Sequence, residues 1–181
     1  MKTRHKVIAA GIAIAALSAW AWNSGQPKHI GPDVLYPDPA LTSGLADTLD
    51  FNNLTASYDG QTYSQAHRNV SAGEKQEVCK EYPKNCTAPK EIDHFYPLCA
   101  GGSNDIKNLW AEPAVNPWNG KDFGFHTKDT LEAWVCTQIK AGKLDPKVAY
   151  QKMTTDWVKF YLEVNPDPQF GSIIDNSDTG E

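Results

Sequence analysis

The chain has 181 residues, which is enough for one ordinary domain with flanking segments. Hydrophobic residues make up 40% and charged residues 22% of the chain, so the composition excludes a disordered acidic protein and a low-complexity repeat. Seventeen Lys and Arg against 22 Asp and Glu give a formal net charge of −5, which excludes a strongly basic nucleic-acid binder.

The N-terminal residues are typical of an export signal. Three basic residues fall within the first six positions, an apolar run over 7–22 follows, and Ala19-Trp20-Ala21 provides a small-x-small cleavage site. This run of 16 residues is short for a membrane-spanning helix, which needs about 20. We therefore expect a signal peptide over 1–21 rather than an uncleaved membrane anchor. The mature protein would be periplasmic or secreted, without stable membrane association.

The composition of residues 22–60 predicts a linker. This segment is rich in Gly, Pro, Asp, Asn and Ser, and its prolines argue against regular structure apart from one short helix near 43–49. The composition changes near Gln61, where we expect a folded domain over 61–165 to begin. Its first element would be a short strand over 62–64.

A helix and a β-hairpin are predicted next. Ser71 and Glu74 form a capping box, which favours a helix from there to about Tyr82. Residues 91–98 resemble a strand that ends in a glycine-containing turn, and 107–111 would be the returning strand.

Two helices complete the domain. After a predicted loop over 112–125, Thr127 can cap a helix that continues to Lys140. Asp145-Pro146 is typical of the start of a second helix, whose apolar stripe we assign to the core. The acidic, polar residues 166–181 are predicted to be a flexible tail.

The chain contains four cysteines. In an oxidising compartment an even count indicates two disulfides rather than a zinc site, for which no C-x-x-C knuckle is present. Three pairings are possible. Cys79 and Cys86 lie seven positions apart at a helix-to-loop junction, so a local bridge between them is plausible, and it would leave Cys99 with Cys136.

Four polar residues around the hairpin have the chemistry of a single-metal phosphodiesterase. Asp93 and His94 end the first strand, Asn108 lies on the returning strand, and His126 precedes the helix. A hard divalent cation binds carboxylate and imidazole while keeping positions for water and phosphate. A neutral histidine can accept a proton from water near pH 7. Since adjacent strand residues point to opposite faces, Asp93 and His94 can share one site only if the strand bends there.

With this order and spacing, the chain resembles the HNH endonucleases, whose fold is the ββα-metal finger. The matching text is EIDHFYPLCAGGSNDIKNLWAEP over 91–113, followed by GFHTKDTLEAWVC over 124–136. It is most similar to exported bacterial members, which carry a preceding segment like TYSQAHRNVSAGEK over 62–75. The resemblance covers about 61–160 and implies an α+β fold: an HNH finger with flanking helices, stapled by disulfides.

The resemblance implies a role for each site residue. His94 matches the general base, Asp93 the neighbouring metal ligand, and Asn108 the residue that braces the loop holding the base. His126 matches the position of the last metal ligand. Other residues could take that last role: Asn116, Asn119, Asp129 and Glu132. Compact members carry a zinc knuckle, and here a Cys99–Cys136 disulfide would replace it.

The implied function is an exported endonuclease that hydrolyses phosphodiester bonds of DNA, with RNA also open, and with little sequence specificity. Its cofactor would be one divalent metal ion, Mg²⁺ first, with Mn²⁺, Ni²⁺ and Zn²⁺ as alternatives. Arg68, Lys107 and Lys128 are candidates for phosphate contacts, although Lys128 could equally be a solvated helix residue. The alternative is a non-catalytic, disulfide-stapled binding or structural module on the same scaffold. The oligomeric state is left open.

Overall fold

The computed structural model describes residues 29–170, so the predicted signal peptide lies outside the described residues. The described chain mixes α-helices with two small antiparallel sheets. No described helix is both long and apolar enough to cross a membrane. The helices are α1 (Phe51–Thr55), α2 (Tyr63–His67), α3 (Ala72–Glu81), α4 (Phe125–Lys140) and α5 (Pro146–Val164). The strands are β1 (Lys90–His94), β2 (Leu109–Pro113), β3 (Pro117–Trp118) and β4 (Lys121–Asp122).

The segment before residue 61 packs against the domain, so its interpretation as a linker is wrong for residues 29–60. Leu35 is fully buried, and its carbonyl oxygen accepts a hydrogen bond from Trp157 Nε1 at 2.9 Å. The hydroxyl of Tyr36 donates to Asp156 Oδ1 at 2.6 Å. The segment lacks long helices and strands, but contacts with α5 fix its position.

The first two helices were not predicted. The short helix expected near 43–49 is wrong, since those residues are not helical; α1 begins after them, at Phe51, where the Asp50 side chain accepts a hydrogen bond from a backbone N–H in the first turn. The strand expected over 62–64 is wrong. Thr62 and Gln65 form a complete capping box there, and α2 begins at Tyr63.

The helix predicted from the capping box at Ser71 is confirmed as α3. Both disulfides of the favoured pairing are confirmed. Cys79–Cys86 ties α3 to the 3₁₀ turn that follows it, and Cys99–Cys136 ties the hairpin loop to α4.

Strands β1 and β2 form an antiparallel hairpin in which Asp93 pairs with Trp110 and His94 with Leu109. Strand β1 is shorter than predicted and β2 begins two residues later, because residues 95–108 form a compact loop with 3₁₀ turns at Leu98–Ala100 and Ile106–Asn108. A glycine is required in this loop: a Cβ atom on Gly102 would lie 1.9 Å from the Tyr96 carbonyl oxygen.

The two faces of the hairpin contact different helices. Ile92 packs in a small apolar cluster with Val78 of α3. On the opposite face, Asp93 meets Lys128 of α4, and Trp110 belongs to the main core. The hairpin therefore separates α3 from α4.

The connection from β2 to α4 contains more structure than the predicted loop. It holds the ribbon β3–β4, whose turn places Asn119 and Gly120 at φ values of 50° and 77°. Helix α4 begins three residues earlier than predicted, directly after Gly124. Thr127 is therefore not its cap, and its hydroxyl donates to the Asp122 carbonyl oxygen at 2.8 Å.

Helix α5 begins after Asp145 as predicted. It also has a kink, which the sequence pattern did not predict. Asp156 has φ −158° and ψ 85° inside the helix, and its carboxylate accepts hydrogen bonds from Ile30 N and the Tyr36 hydroxyl.

Phe170 is fully buried, so the predicted flexible tail is wrong for 166–170. The rest of that tail lies outside the described residues. The largest fully buried aromatic side chains are Trp110, Trp157, Tyr96, Phe123 and Phe170.

Candidate functional site

His94 lies at the end of β1 with a ring that is almost entirely buried. Its Nε2 is 3.1 Å from Asn104 Oδ1, and Asn104 Nδ2 donates to the His67 carbonyl oxygen at 2.7 Å. Since a carbonyl can only accept, the Asn104 amide must direct its oxygen toward His94. Nε2 therefore carries the hydrogen of the neutral ring, and Nδ1 holds the free lone pair.

The second ring nitrogen of His94 has no described hydrogen-bond partner. Nδ1 makes no described hydrogen bond, and it is not among the described buried side-chain atoms that lack a partner. Burial lowers the pKa of His94 below its ordinary value of 6.5, although the bond to Asn104 and the charge of Asp93 both raise it. His94 is thus a neutral imidazole at pH 7 with one nitrogen able to accept a proton.

Asn108 holds the loop that follows His94. Its side chain is fully buried, and Oδ1 accepts from Tyr96 N while Nδ2 donates to the carbonyl oxygens of Tyr96 and Ser103, each at 2.9 Å. The backbone adds a hydrogen bond of 2.7 Å from Phe95 N to Asn108 O. The amide therefore fixes both ends of the loop between the strands.

Asp93 faces α4 and contacts a lysine that sequence analysis placed on the surface. The Lys128 side chain is fully buried, and Nζ donates to Asp93 Oδ2 at 2.5 Å, to the His94 carbonyl oxygen at 2.7 Å and to Glu132 Oε1. Both earlier interpretations of Lys128, as a phosphate contact and as a solvated helix residue, are therefore wrong. Its position follows from β1 packing across the first turns of α4.

An acidic cluster surrounds this contact. Asp93, Asp129 and Glu132 each offer a carboxylate oxygen, and these atoms lie within 4.8 Å of one another. Two of the four alternatives for the last metal ligand, Asp129 and Glu132, are therefore the ones that meet Asp93. Carboxylate oxygens at this spacing can hold a hard divalent cation.

His126 lies at the exposed edge of this cluster. Its side chain is 79% exposed, and Nδ1 is 4.0 Å from Asp129 Oδ2. Helix α4 starts at Phe125, so His126 precedes Asp129 by about one helical turn on the same side of the helix. The role of His126 as the last ligand stays a prediction, while Asp129 and Glu132 are the α4 residues that meet Asp93.

The two asparagines that were alternatives for the last metal ligand lie in or beside the β3–β4 ribbon. Asn116 is buried, and its Nδ2 donates to the Val34 carbonyl oxygen at 2.8 Å. Asn119 occupies the β3–β4 turn in a left-handed conformation. Neither is part of the acidic cluster.

The carboxylates of the site differ in protonation. Glu112 on β2 is fully buried, neither of its oxygens has a hydrogen-bond partner, and burial raises its pKa well above the ordinary range. Its Oε2 is 3.6 Å from Lys128 Nζ. Burial raises the pKa of Glu132 to about 8. Burial would also raise the pKa of Asp93, but the Lys128 ammonium holds it below its ordinary value. One ammonium thus faces more acidic groups than it can neutralise.

The two other predicted phosphate contacts are exposed. Arg68 follows α2 directly after His67, the residue bonded to Asn104, and its charge contributes to the lowered pKa of His94. Lys107 lies in the 3₁₀ turn before Asn108. Arg68 therefore acts on the site electrostatically, and Lys107 has no described contact with it.

Sequence reasoning missed Asn104, Glu112 and the position of Lys128. Asn104 lies in a Gly-Gly-Ser-Asn stretch, which is typical of a turn and carries no sign of a contact with histidine. Glu112 was predictable in part, because it lies diagonally across the hairpin from Asp93. For Lys128, the available signal was its spacing of four from Glu132 on a helix.

Comparisons with protein-family models, curated proteins and solved structures find no match to this chain. Any functional proposal therefore depends on the site's own geometry and chemistry.

Proposed function

We propose that this protein is an exported, metal-dependent HNH endonuclease that hydrolyses phosphodiester bonds of DNA, or of RNA, with little sequence specificity. One observation carries the proposal: hairpin β1–β2 is followed by α4, with His94 and Asp93 side by side at the end of β1 and acidic residues of α4 beside Asp93. This is the layout that a ββα-metal finger requires. The two disulfides support an oxidising compartment, as does the predicted signal peptide.

The acidic cluster fits a divalent cation. Its carboxylates outnumber the one ammonium, and the buried Glu112 oxygens lack hydrogen-bond donors. Asp93, Asp129 and Glu132 would hold the ion. An oxygen-only ligand set favours Mg²⁺ or Mn²⁺ over Ni²⁺ or Zn²⁺. When bound, the ion would offset negative charge on the scissile phosphate and the leaving oxygen.

The protein's own groups account for the proton transfer. His94 Nδ1 accepts a proton from water, and the resulting hydroxide attacks phosphorus in line with the departing 3′ oxygen. The products carry a 5′-phosphate and a 3′-hydroxyl. The Asn104 oxygen, which accepts the Nε2 hydrogen, and the nearby negative charge of Asp93 stabilise the imidazolium that forms. Asn108 keeps the loop beside His94 in place.

Contact with nucleic acid would be made mainly through phosphate. Arg68 is the favoured residue, because it is exposed and its charge reaches His94. Lys107 stays a prediction. With few basic groups at the site, binding should be modest and strongly dependent on salt.

The proposal is tested with supercoiled plasmid and residues 22–181 produced under oxidising conditions. Cleavage should need Mg²⁺ or Mn²⁺, stop in EDTA and be lost in His94→Ala. A matched control is Lys143→Ala, which changes an exposed lysine in the loop after α4 and should cleave as the wild type does. A folded, oxidised protein that cleaves no plasmid, single-stranded DNA or RNA with any metal would contradict the proposal.

The position of Lys128 favours a second candidate. Its buried ammonium already binds two of the carboxylates that a metal ion would use. A non-catalytic, disulfide-stapled binding or structural module would need no metal. In that case the protein would cleave no nucleic acid with any metal, and His94→Ala would lower its stability, because a buried ring and its hydrogen bond to Asn104 are lost, without changing any cleavage activity.

A further inference from the structure

The ammonium of Lys128 has the surroundings of a bound cation. Nζ has three hydrogens, and three oxygen atoms accept them, from Asp93, the His94 backbone and Glu132. Lysine is almost never fully buried unless it is paired. Because all three acceptors are oxygen atoms and two of them belong to carboxylates, the geometry is that of a positively charged ammonium.

The cluster has a buried side and a side open to solvent. The side chains of Lys128 and Glu112 are 0% and 1% exposed. Those of Asp93 and Glu132 are 14% and 17% exposed, and that of Asp129 is 50% exposed. The ammonium thus fills the inner side, while three carboxylates reach the outer side.

Charge limits how many ions such a cluster can take. The three carboxylates on the outer side, those of Asp93, Asp129 and Glu132, face one ammonium, so a single divalent ion there brings the net charge close to zero. A second divalent ion would need the inner position, which Lys128 fills. Unbalanced charge in a buried site is costly, so one ion is the favoured number.

We propose that Lys128 is a permanent inner cation of this site, which stays in place when one divalent ion binds against Asp93, Asp129 and Glu132. The inference rests on the metal site of the proposed function. Lys128 would have the charge-balancing role of the second ion in two-metal phosphodiesterases. Through its bond to the His94 carbonyl oxygen it also positions the residue that bears the base.

The first test observes Lys128 in the wild-type protein by nitrogen NMR of ¹⁵N-labelled lysine side chains, with Lys128→Arg used for assignment. A buried ammonium exchanges slowly with water and gives its own resonance. We expect this resonance in EDTA, and we expect it to shift but persist at saturating Mg²⁺. Its loss on adding Mg²⁺ would mean that the metal displaces Lys128, which would overturn the inference.

The second test counts bound Mn²⁺ by electron paramagnetic resonance. The wild type should bind one ion per chain. Lys128→Met should bind a second ion, or the first at least about tenfold more tightly, because a positive charge a few Å away has been removed. The control is Lys143→Met, which changes an exposed lysine in the loop after α4 and should behave as the wild type does.

Several results of the counting experiment would contradict the inference: no bound ion or two ions in the wild type, or equal stoichiometry and affinity in Lys128→Met. If Lys128→Met does not fold, the NMR experiment on the wild type alone decides whether Lys128 stays in place when the metal binds. Neither readout depends on cleavage. A protein that gives the expected binding but cleaves no nucleic acid would therefore refute the nuclease proposal and leave this inference standing.

Discussion

Replacing Glu112 by glutamine should make the metal-free protein more stable at pH 8 but not at pH 5. Glu112 is fully buried without hydrogen-bond partners, and burial raises its pKa well above the ordinary range. The folded wild type therefore keeps a proton that the unfolded chain loses above a pKa of about 4.3. The folded state then binds more protons than the unfolded state, so the free energy of unfolding falls as the pH rises.

The size of this effect follows from proton linkage. One such group lowers the free energy of unfolding by at most about 1.4 kcal/mol per pH unit, or about 4 kcal/mol between pH 5 and pH 8. Glutamine has the same shape and no proton to lose. The free energy of unfolding of Glu112→Gln should therefore equal that of the wild type at pH 5 and exceed it by a few kcal/mol at pH 8.

The assay is urea unfolding in EDTA at pH 5, 6.5 and 8, with both disulfides intact. The control is Glu77→Gln, which changes a glutamate on α3 that is 52% exposed and should give a small difference that does not vary with pH. A difference between Glu112→Gln and the wild type that is the same at all three pH values would refute the reasoning. It would mean that Glu112 is ionised in the folded protein and is stabilised by Lys128 across 3.6 Å.

Four other perturbations test the site and its frame. Cys136→Ser should lower the free energy of unfolding by about 4 kcal/mol and Cys86→Ser by about 2 kcal/mol, since the loops they close span 37 and 7 residues; urea titration checks both. Asn108→Ala should cost about 2–4 kcal/mol in the same titration, because three buried hydrogen bonds are lost. Asn104→Leu should lower the plasmid cleavage rate about tenfold or more without changing metal binding, since His94 loses the acceptor that selects its tautomer. The rate in Mg²⁺ should stay near its maximum at pH 6.5 and fall only at lower pH, because the pKa of His94 is lowered; a profile that already falls by half at pH 7 would contradict this.

Local signals in the sequence predicted the elements that depend on local contacts. The capping box at Ser71 and the Asp145-Pro146 start fix α3 and α5 through bonds made within one helical turn. The packing of residues 29–60 could not be predicted in this way. It depends on the kink at Asp156, which binds Tyr36 from 120 positions away in the chain.

The site was predictable where the motif itself carries the contacts. Asp93, His94 and Asn108 lie on or beside one hairpin, so their proximity follows from its register. The contribution of α4 was not predictable, because it depends on which helix face meets β1. With Thr127 as the predicted cap, three residues after the observed cap Gly124, nothing in the sequence indicates that Asp129 and Glu132 are the α4 residues that meet Asp93.

The alternation of side-chain directions along β1 explains why Asp93 and His94, although adjacent in the chain, lie in different environments. Asp93 and His94 point to opposite faces of the hairpin, and no bulge is needed, because β1 ends at His94. On one face Asp93 meets the charged groups of α4, whose carboxylates could hold a cation. On the other face the His94 ring lies beside Asn104, where burial keeps it neutral.

Lys128 links the two faces, since its ammonium binds the Asp93 carboxylate on one side and the His94 carbonyl oxygen on the other. A displacement of α4 would therefore be transmitted through Lys128 to both residues at the end of β1. In the proposed nuclease, this coupling would hold the base and the cation site at a fixed distance, as in-line attack on a phosphodiester requires.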